Sequence, residues 1–384
     1  MVEWKTIEEI SSNVFAGGTP NTKRSDYYDG DIPWIRSGEI NFNVIKQAER
    51  NITELGYKES SAKKIRRDSV VMAMTGATVA KSAVVSIETT ANQSVCAIET
   101  DESIANFKYV YYCLTEQYFK IKSSAQGALT SLNLAMIKNI EIPVPSFPEQ
   151  ERIVGILDTF TTSIDNLKKQ IAQRRKQFEF YRDQLLDLEG KEGVEMIAMK
   201  DLFTIKNGYT PSKSHPEFWE CGTLPWFRME DIRLYGRILS DSIQHITPLG
   251  VKKGGLFPAN SIIVATTATI GEHALVIVDS LANQQFTFLT KCKSYDSKLD
   301  MKYMYYYMFI VDEWCKRNTN VSGFASVDME KFKKLPIPLP PLSEQQRIVS
   351  ILDTFEESIS NLEAQLEQRQ KQYEYYRNKL LTFA

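Results

Sequence analysis

Hydrophobic positions along the chain follow two rhythms, and each rhythm occurs twice. In the first, apolar residues fall at Ile153, Leu157, Phe160, Ile164, Leu167, Ile171, Phe178, Tyr181, Leu185 and Leu188, in alternating steps of four and three once Arg174 is counted in its place. The stripe returns at Ile348, Leu352, Phe355, Ile359, Leu362, Leu366, Tyr373, Tyr376, Leu380 and Phe383, with Arg369 at the position of Arg174. Steps of four and three keep one face of an α-helix apolar, which is the seam of a coiled coil. Each run predicts a helix of roughly 40 residues, about 60 Å long. A rod with its seam in water is unstable, and the simplest partner for each seam is the other. The expectation is an antiparallel intramolecular coiled coil that holds two globular modules apart.

Each stripe is preceded by a Pro-rich stretch, Ile142-Pro143-Val144-Pro145 and Pro336-Ile337-Pro338-Leu339-Pro340, where the chain must be extended. Ser343 with Gln346 three residues on has the form of a capping box, and Pro148 with Glu149 suits the first turn of the other helix. Phe180 and Tyr375 lie off the stripe and predict apolar surface that meets another protein.

The second rhythm consists of short β-type runs, "SVVMAMTGA" from Ser69 and "SIIVATTAT" from Ser261, separated by turn clusters such as "YYDGDIPW" and "FWECGTLPW". Each set adds an amphipathic helix, around "FKYVYYCL" and "MKYMYYYMF". This predicts α/β (α+β) modules with a mainly antiparallel or mixed sheet.

The rhythms recur because the chain is a tandem duplication. From Ile142 and Ile337 the two tails match at about 27 of 47 positions without a gap. Weaker echoes lie 191 to 195 residues apart: "GGTP" and "GYTP", "IPWIRSGEI" and "LPWFRMEDI", "TGATV" and "TTATI", and "ANQ" at Ala91 and again at Ala282. The tails have stayed alike while the modules drifted, so the tails share one job and the modules do two different ones. The predicted boundaries are a first globular module at 1–141, a helical region at 142–190, a second module at 191–335 and a second helical region at 336–384.

Composition narrows the function classes without choosing one. The 384 residues exceed what one core usually organises. A net charge of -2 gives no overall basic field, although local patches can serve nucleic acid on a neutral chain. The first residues lack the pattern of a signal peptide and no apolar run is long enough to span a bilayer, so the chain reads as cytoplasmic. Cys96, Cys113, Cys221, Cys292 and Cys315 are scattered singly and read as reduced, mostly core residues. His215, His245 and His273 are equally isolated, and no metal site is expected.

Candidate DNA-contacting residues come from the echoes. Gly18, Thr19, Lys23 and Arg24, and Tyr209, Thr210 and Lys213, combine a tight loop, a hydroxyl and cations suited to phosphate oxygens. Arg36, Ser37 and Glu39, with Arg228, Glu230 and Asp231, offer donors and acceptors for base edges, since Arg pairs with guanine and carboxylates accept from cytosine. Thr75, Thr78, Thr266 and Thr267 add hydroxyls, and the late polar loops add Gln126, Thr130, Ser131, Ser322 and Ser326. Trp34 and Trp226 read as core rather than base-stacking residues, and "KKIRR" from Lys63 as a solvated face. No dinucleotide loop, phosphate loop, nucleophile elbow or [DN]-P-P-[FY] tetrad occurs, so no catalytic residue is assigned.

The order of module, helix opening "P-x-P-x-x-x-E-Q-x-R-I-V-x-I-L-D", second module and the same helix again resembles the specificity subunit of type I restriction-modification systems. The "EQERIVGILDTF" and "EQQRIVSILDTF" segments carry the resemblance most specifically. It implies that each module binds half of a bipartite, asymmetric site in double-stranded DNA and that the helices set the spacer. It further implies two modification subunits, which use S-adenosylmethionine to methylate adenine at N6, and two motor-nuclease subunits; ATP and Mg are likewise expected in the partners and no cofactor in this chain. A second class remains open at this point, a non-catalytic DNA-binding or scaffold protein outside restriction.

Overall fold

The structure, a computed structural model, describes residues 2–125, 131–320 and 325–383. It divides into two compact units, 1–169 with 364–384, and 170–363, each holding one module and parts of both long helices.

In the first unit a five-stranded sheet runs in the order Ser11–Ala16, Val95–Thr100, Ser69–Ala73, Ser82–Val85, Val44–Ile45. Its pairs are antiparallel except the last, which is parallel. The central strand is covered on both faces, by Phe107–Glu116 and its surroundings on one side and by Ile35, Ile40 and Ile45 on the other. That double burial explains why "SVVMA" reads as a continuous apolar run rather than an alternating one. A three-stranded sheet of Arg50–Ile52, Tyr28–Ile35 and Thr90–Ala91 lies beside it. The second unit repeats the plan with Phe203–Asn207, Phe286–Lys291, Ser261–Ala265, His273–Val276 and Ile238–Leu239, and with His245–Ile246, Leu224–Phe227 and Leu281–Ala282. Its covering helix is Met301–Arg317. The mixed sheets match the expectation; "YYDGDIPW", read as a turn cluster, is instead a strand with a register shift between Tyr28 and Ile32, where Asp29 turns to positive φ.

The repeated tail motif has a structural meaning at nearly every letter. Its extended stretches are the strands Glu141–Val144 and Pro336–Leu339, each antiparallel to the strand that opens its own module. Gln150 is fully buried: its Oε1 accepts from Asn106 N at 2.9 Å, and its Nε2 donates to Ile104 O and Pro145 O, both at 3.0 Å. Gln345 makes the same three bonds, from Asp300 N and to Lys298 O and Pro340 O, all at 2.8 Å. Asn106 and Asp300 cap the two covering helices, so each Gln locks the start of a long helix to the start of a short one. Asp158 and Asp353 then accept from Tyr112 Oη at 2.7 Å and Tyr306 Oη at 2.5 Å. Glu149–Arg152 and Glu344–Arg347 are surface pairs one turn apart.

The long helices are Phe147–Leu186 and Leu342–Leu381. In the second unit Arg175 meets Glu363 at 2.5 Å while Tyr181 stacks on Phe355 at 5.4 Å, so the numbering falls on one helix as it rises on the other and the pairing is antiparallel. In the first unit Phe160 stacks on Tyr376 at 5.2 Å, and Leu380 and Leu381 join the cluster containing Ile153 and Leu157. Ile153, Leu157, Ile164, Ile171, Ile348 and Leu352 are buried, and Phe160, Leu167, Phe355, Ile359, Leu362 and Leu366 are half-buried. The arginines do not interrupt the seam: Arg174 lies 5.8 Å from the Phe355 ring centre and Arg369 5.6 Å from that of Phe160, a cation held over an aromatic face.

One local expectation needs correction. The second helix begins at Leu342, one residue before Ser343, which therefore sits in its first turn and not at the cap position; the buried Gln345 instead ties the helix start to the preceding strand by donating to Pro340 O. The cysteines are free and mostly core, as expected: Cys96, Cys113 and Cys315 are buried, and burial pushes each thiol up to about 12, while Cys292 is half-buried and Cys221 is exposed in a turn with positive φ. No helix among the described residues is long and apolar enough to cross a membrane, and no described cluster of His, Cys, Asp or Glu could hold a metal ion.

Candidate nucleic-acid interface

In the first unit the candidate loops converge where several strands end. Gly17 N donates to Val95 O at 2.9 Å and Gly18 N to Ala91 O at 2.8 Å; Asn92 N donates to Ile35 O at 2.9 Å and Met74 N to Ser94 O at 2.8 Å. Thr78 Oγ1 donates to Ser37 O at 2.7 Å, and Leu132 N to Met74 O brings Ser131 beside Thr75. The second unit builds the same cluster: Gly208 N to Phe286 O, Asn283 N to Phe227 O, Thr266 N to Gln285 O and Val327 N to Thr266 O, with Thr267 bridged to Ser326.

The Ala-Asn-Gln turn is the hub in both units. A Cβ on Gly17 would lie 2.3 Å from Ala91 O, and one on Gly208 2.3 Å from Ala282 O, so this first glycine is required for the approach. Gly18 is not the shared element, since Tyr209 stands at its position. Trp34 Nε1 donates to Gly18 O and Trp226 Nε1 to Tyr209 O, both at 3.0 Å, and both indoles are buried, as core residues should be. Thr19 Oγ1 donates to Gln93 Oε1, and Thr210 Oγ1 to Gln284 Oε1 at 2.5 Å. Gln93 and Gln284 were not among the residues singled out from sequence, although the recurring "ANQ" was the signal that could have found them.

The structure sorts the remaining candidates. Glu39 is nearly buried and accepts from Arg36 N at 2.8 Å and Glu49 N at 3.0 Å; Asp231 is fully buried and accepts from Arg228 N and Ile243 N, both at 2.6 Å. These carboxylates close a turn and do not face solvent, so their assignment as acceptors for cytosine is corrected. We expect Asp231→Ala to destabilise the second unit by about 2–4 kcal/mol, because two part-buried N–H groups lose a charged acceptor that is itself fully buried. Urea unfolding checks this, and an unchanged DNA motif in the surviving protein checks that the residue reads nothing. Arg36 is bound to Glu49 at 2.5 Å, and Arg228 lies 5.7 Å from the Trp226 ring centre with Glu230 3.9 Å away. Arg24 is held by Asp26 at 2.6 Å, which raises its pKa, and it lies against Tyr27. Lys23 and Lys213 are exposed. Tyr209 accepts from Lys252 N at 2.7 Å, and Thr266 bonds Thr287 at 2.9 Å inside the fold. Lys63, Lys64, Arg66 and Arg67 are exposed around a buried Ile65, as a solvated face requires. Gln126, Thr130 and Ser322 lie outside the described residues.

The family model for the type I restriction modification DNA specificity domain matches residues 1–174 and again 191–370. The chain belongs to this family. Among specificity subunits it is 50% identical over 214 residues to that of the type I restriction enzyme EcoprrI of Escherichia coli, covering 53% of each chain. It is 36% identical over 302 residues to the EcoR124I/EcoR124II specificity subunit of the same organism, covering 74% of this chain and 72% of that one. The chain thus spans about half the length of the first relative and nearly three quarters of the second. A crystal structure of the type I restriction-modification S subunit from M. genitalium shares the fold, with TM-score 0.60 and 15% identity over 100% of this chain and 97% of that one. Two specificity-domain repeats, mixed sheets and two long helices paired antiparallel within each unit are therefore the fold of a type I specificity subunit.

Proposed function

We propose that this specificity subunit reads a bipartite, asymmetric DNA site, one half per module, with the long helices setting the spacer. The observation that carries the reading is the loop cluster built twice on the same backbone plan with unlike side chains: Gly18 against Tyr209, Ser37 against Met229, and Gly38 against Glu230. Two modules on one plan present two different surfaces to one duplex. Two modification and two restriction subunits would supply the chemistry, with S-adenosylmethionine, ATP and Mg bound in them, in the cytoplasm. A symmetric set of partners meets an asymmetric site only through a reader that is pseudo-symmetric with unlike modules. This chain itself performs no catalysis in this reading.

The test is an exchange of residues 1–141 for the same region of a relative, in the assembled enzyme, followed by methylome sequencing. One half of the methylated motif should change and the other stay; a change in both halves would show that the modules are not separate readers.

A further inference from the structure

Gln93 and Gln284 are exposed, yet each has one end held by a neighbouring Thr hydroxyl in the same way. A long exposed side chain usually keeps its rotamer freedom, and holding it still costs entropy, so an identical restraint in two diverged modules marks an atom that must be aimed. The restraint also determines which atom is offered. With Oε1 accepting from Thr19 or Thr210, the end left over is the Nε2 amide, a donor, and no described residue accepts from it. Bidentate recognition of adenine by Gln needs the carbonyl and the amide together, because N6 donates and N7 accepts. With one lone pair of the carbonyl taken by Thr, the two N–H groups are the larger free capacity of each amide, which suits a partner that only accepts.

The nearby arginines of the first unit are engaged as well, while Lys23 and Lys213 stay exposed. Arg24 pairs with Asp26 and Arg36 with Glu49, and the chain as a whole carries a net charge of -2. Neutral donors on a preorganised turn can therefore share the phosphate contacts with those lysines. What the modules share should contact what any two half-sites share, and the feature common to all DNA is the phosphate backbone.

We propose that Gln93 and Gln284 are sequence-independent anchors, each donating its amide N–H to one phosphate oxygen of its half-site, with Thr19 and Thr210 as positioning residues. The inference rests on the reading that the loop clusters face DNA. The anchors set where each module sits on the duplex, and the unlike residues around them read bases.

The experiment uses the chain assembled with its modification subunits and measures binding to cognate duplex and to duplexes with single base changes. Gln93→Ala and Gln284→Ala should each weaken binding roughly 3- to 10-fold, by the same factor on every duplex, leaving the methylated motif unchanged. Gln→Glu should lose more, since a carboxylate replaces the donor, and Gln→Lys should restore binding while steepening the salt dependence by about one counterion per module. A scan of single methylphosphonates should reveal one position per half-site where neutralising the phosphate hurts the parent enzyme and adds nothing to the Ala variant. A loss confined to the cognate duplex, with one motif position relaxed, would make Gln a base reader and overturn the proposal, as would full binding by both Ala variants. Arg36→Ala separates this failure from a deeper one. If it alters binding while the Gln variants do not, only the anchor assignment falls; if all are silent in an enzyme that still reads its site, the loop clusters do not face DNA. Both Gln residues are exposed, so unchanged thermal unfolding confirms that the variants are folded.

Discussion

One heptad added to each long helix, after Lys169 and after Glu363, is expected to lengthen the spacer of the methylated motif by roughly one to three base pairs while both half-site sequences stay intact. These points separate the stretches that each helix contributes to the two compact units, so the contacts inside each unit are kept. A seven-residue insertion preserves the seam phase and adds about 10 Å of helix. B-DNA rises about 34 to 36 Å per turn of roughly 10 to 10.5 pairs, so 10 Å corresponds to at most about three pairs. Those pairs would also rotate the second half-site by roughly a quarter turn, which has to be absorbed by twisting the DNA or by a smaller increment. Methylome sequencing of a host carrying the enzyme gives the answer directly. An active variant that keeps the original spacing would mean that the helices do not measure DNA and serve only to dock partners.

The second large effect is on stability. Gln150→Leu and Gln345→Leu should each destabilise one compact unit by about 3–5 kcal/mol, because one N–H and two carbonyl groups around each buried amide lose their partners together. Leu has nearly the volume of Gln, so cavity formation adds little and the loss reports the hydrogen bonds. Hydrogen exchange locates the effect: Gln150→Leu should raise exchange in Phe107–Glu116 and Gln345→Leu in Met301–Arg317, without crossing over. Equal acceleration in both helices from either variant would refute the view that each Gln locks only its own module.

The duplication, the two helices and the family were legible in the sequence because each is written in local periodicity or in literal repetition. Steps of four and three specify a seam whatever its partner, and about 27 matches in 47 positions announce a duplication without any coordinates. The mixed sheets followed from short apolar runs between turn residues. The fate of individual polar side chains was not legible, because it depends on neighbours distant in sequence. Glu39 and Asp231 looked like base-reading carboxylates until Glu49 N and Ile243 N were found bonded to them. Arg174 and Arg369 looked like breaks in a stripe until each was seen over an aromatic ring of the opposite helix. Gln150 and Gln345 were letters in a motif until their amides proved to be buried among carbonyl groups that only the folded chain assembles. Sequence period determines which face of an element is buried, since that depends on the backbone repeat alone. Which donor meets which acceptor depends on how the elements pack, and for this protein only the tertiary structure decided it.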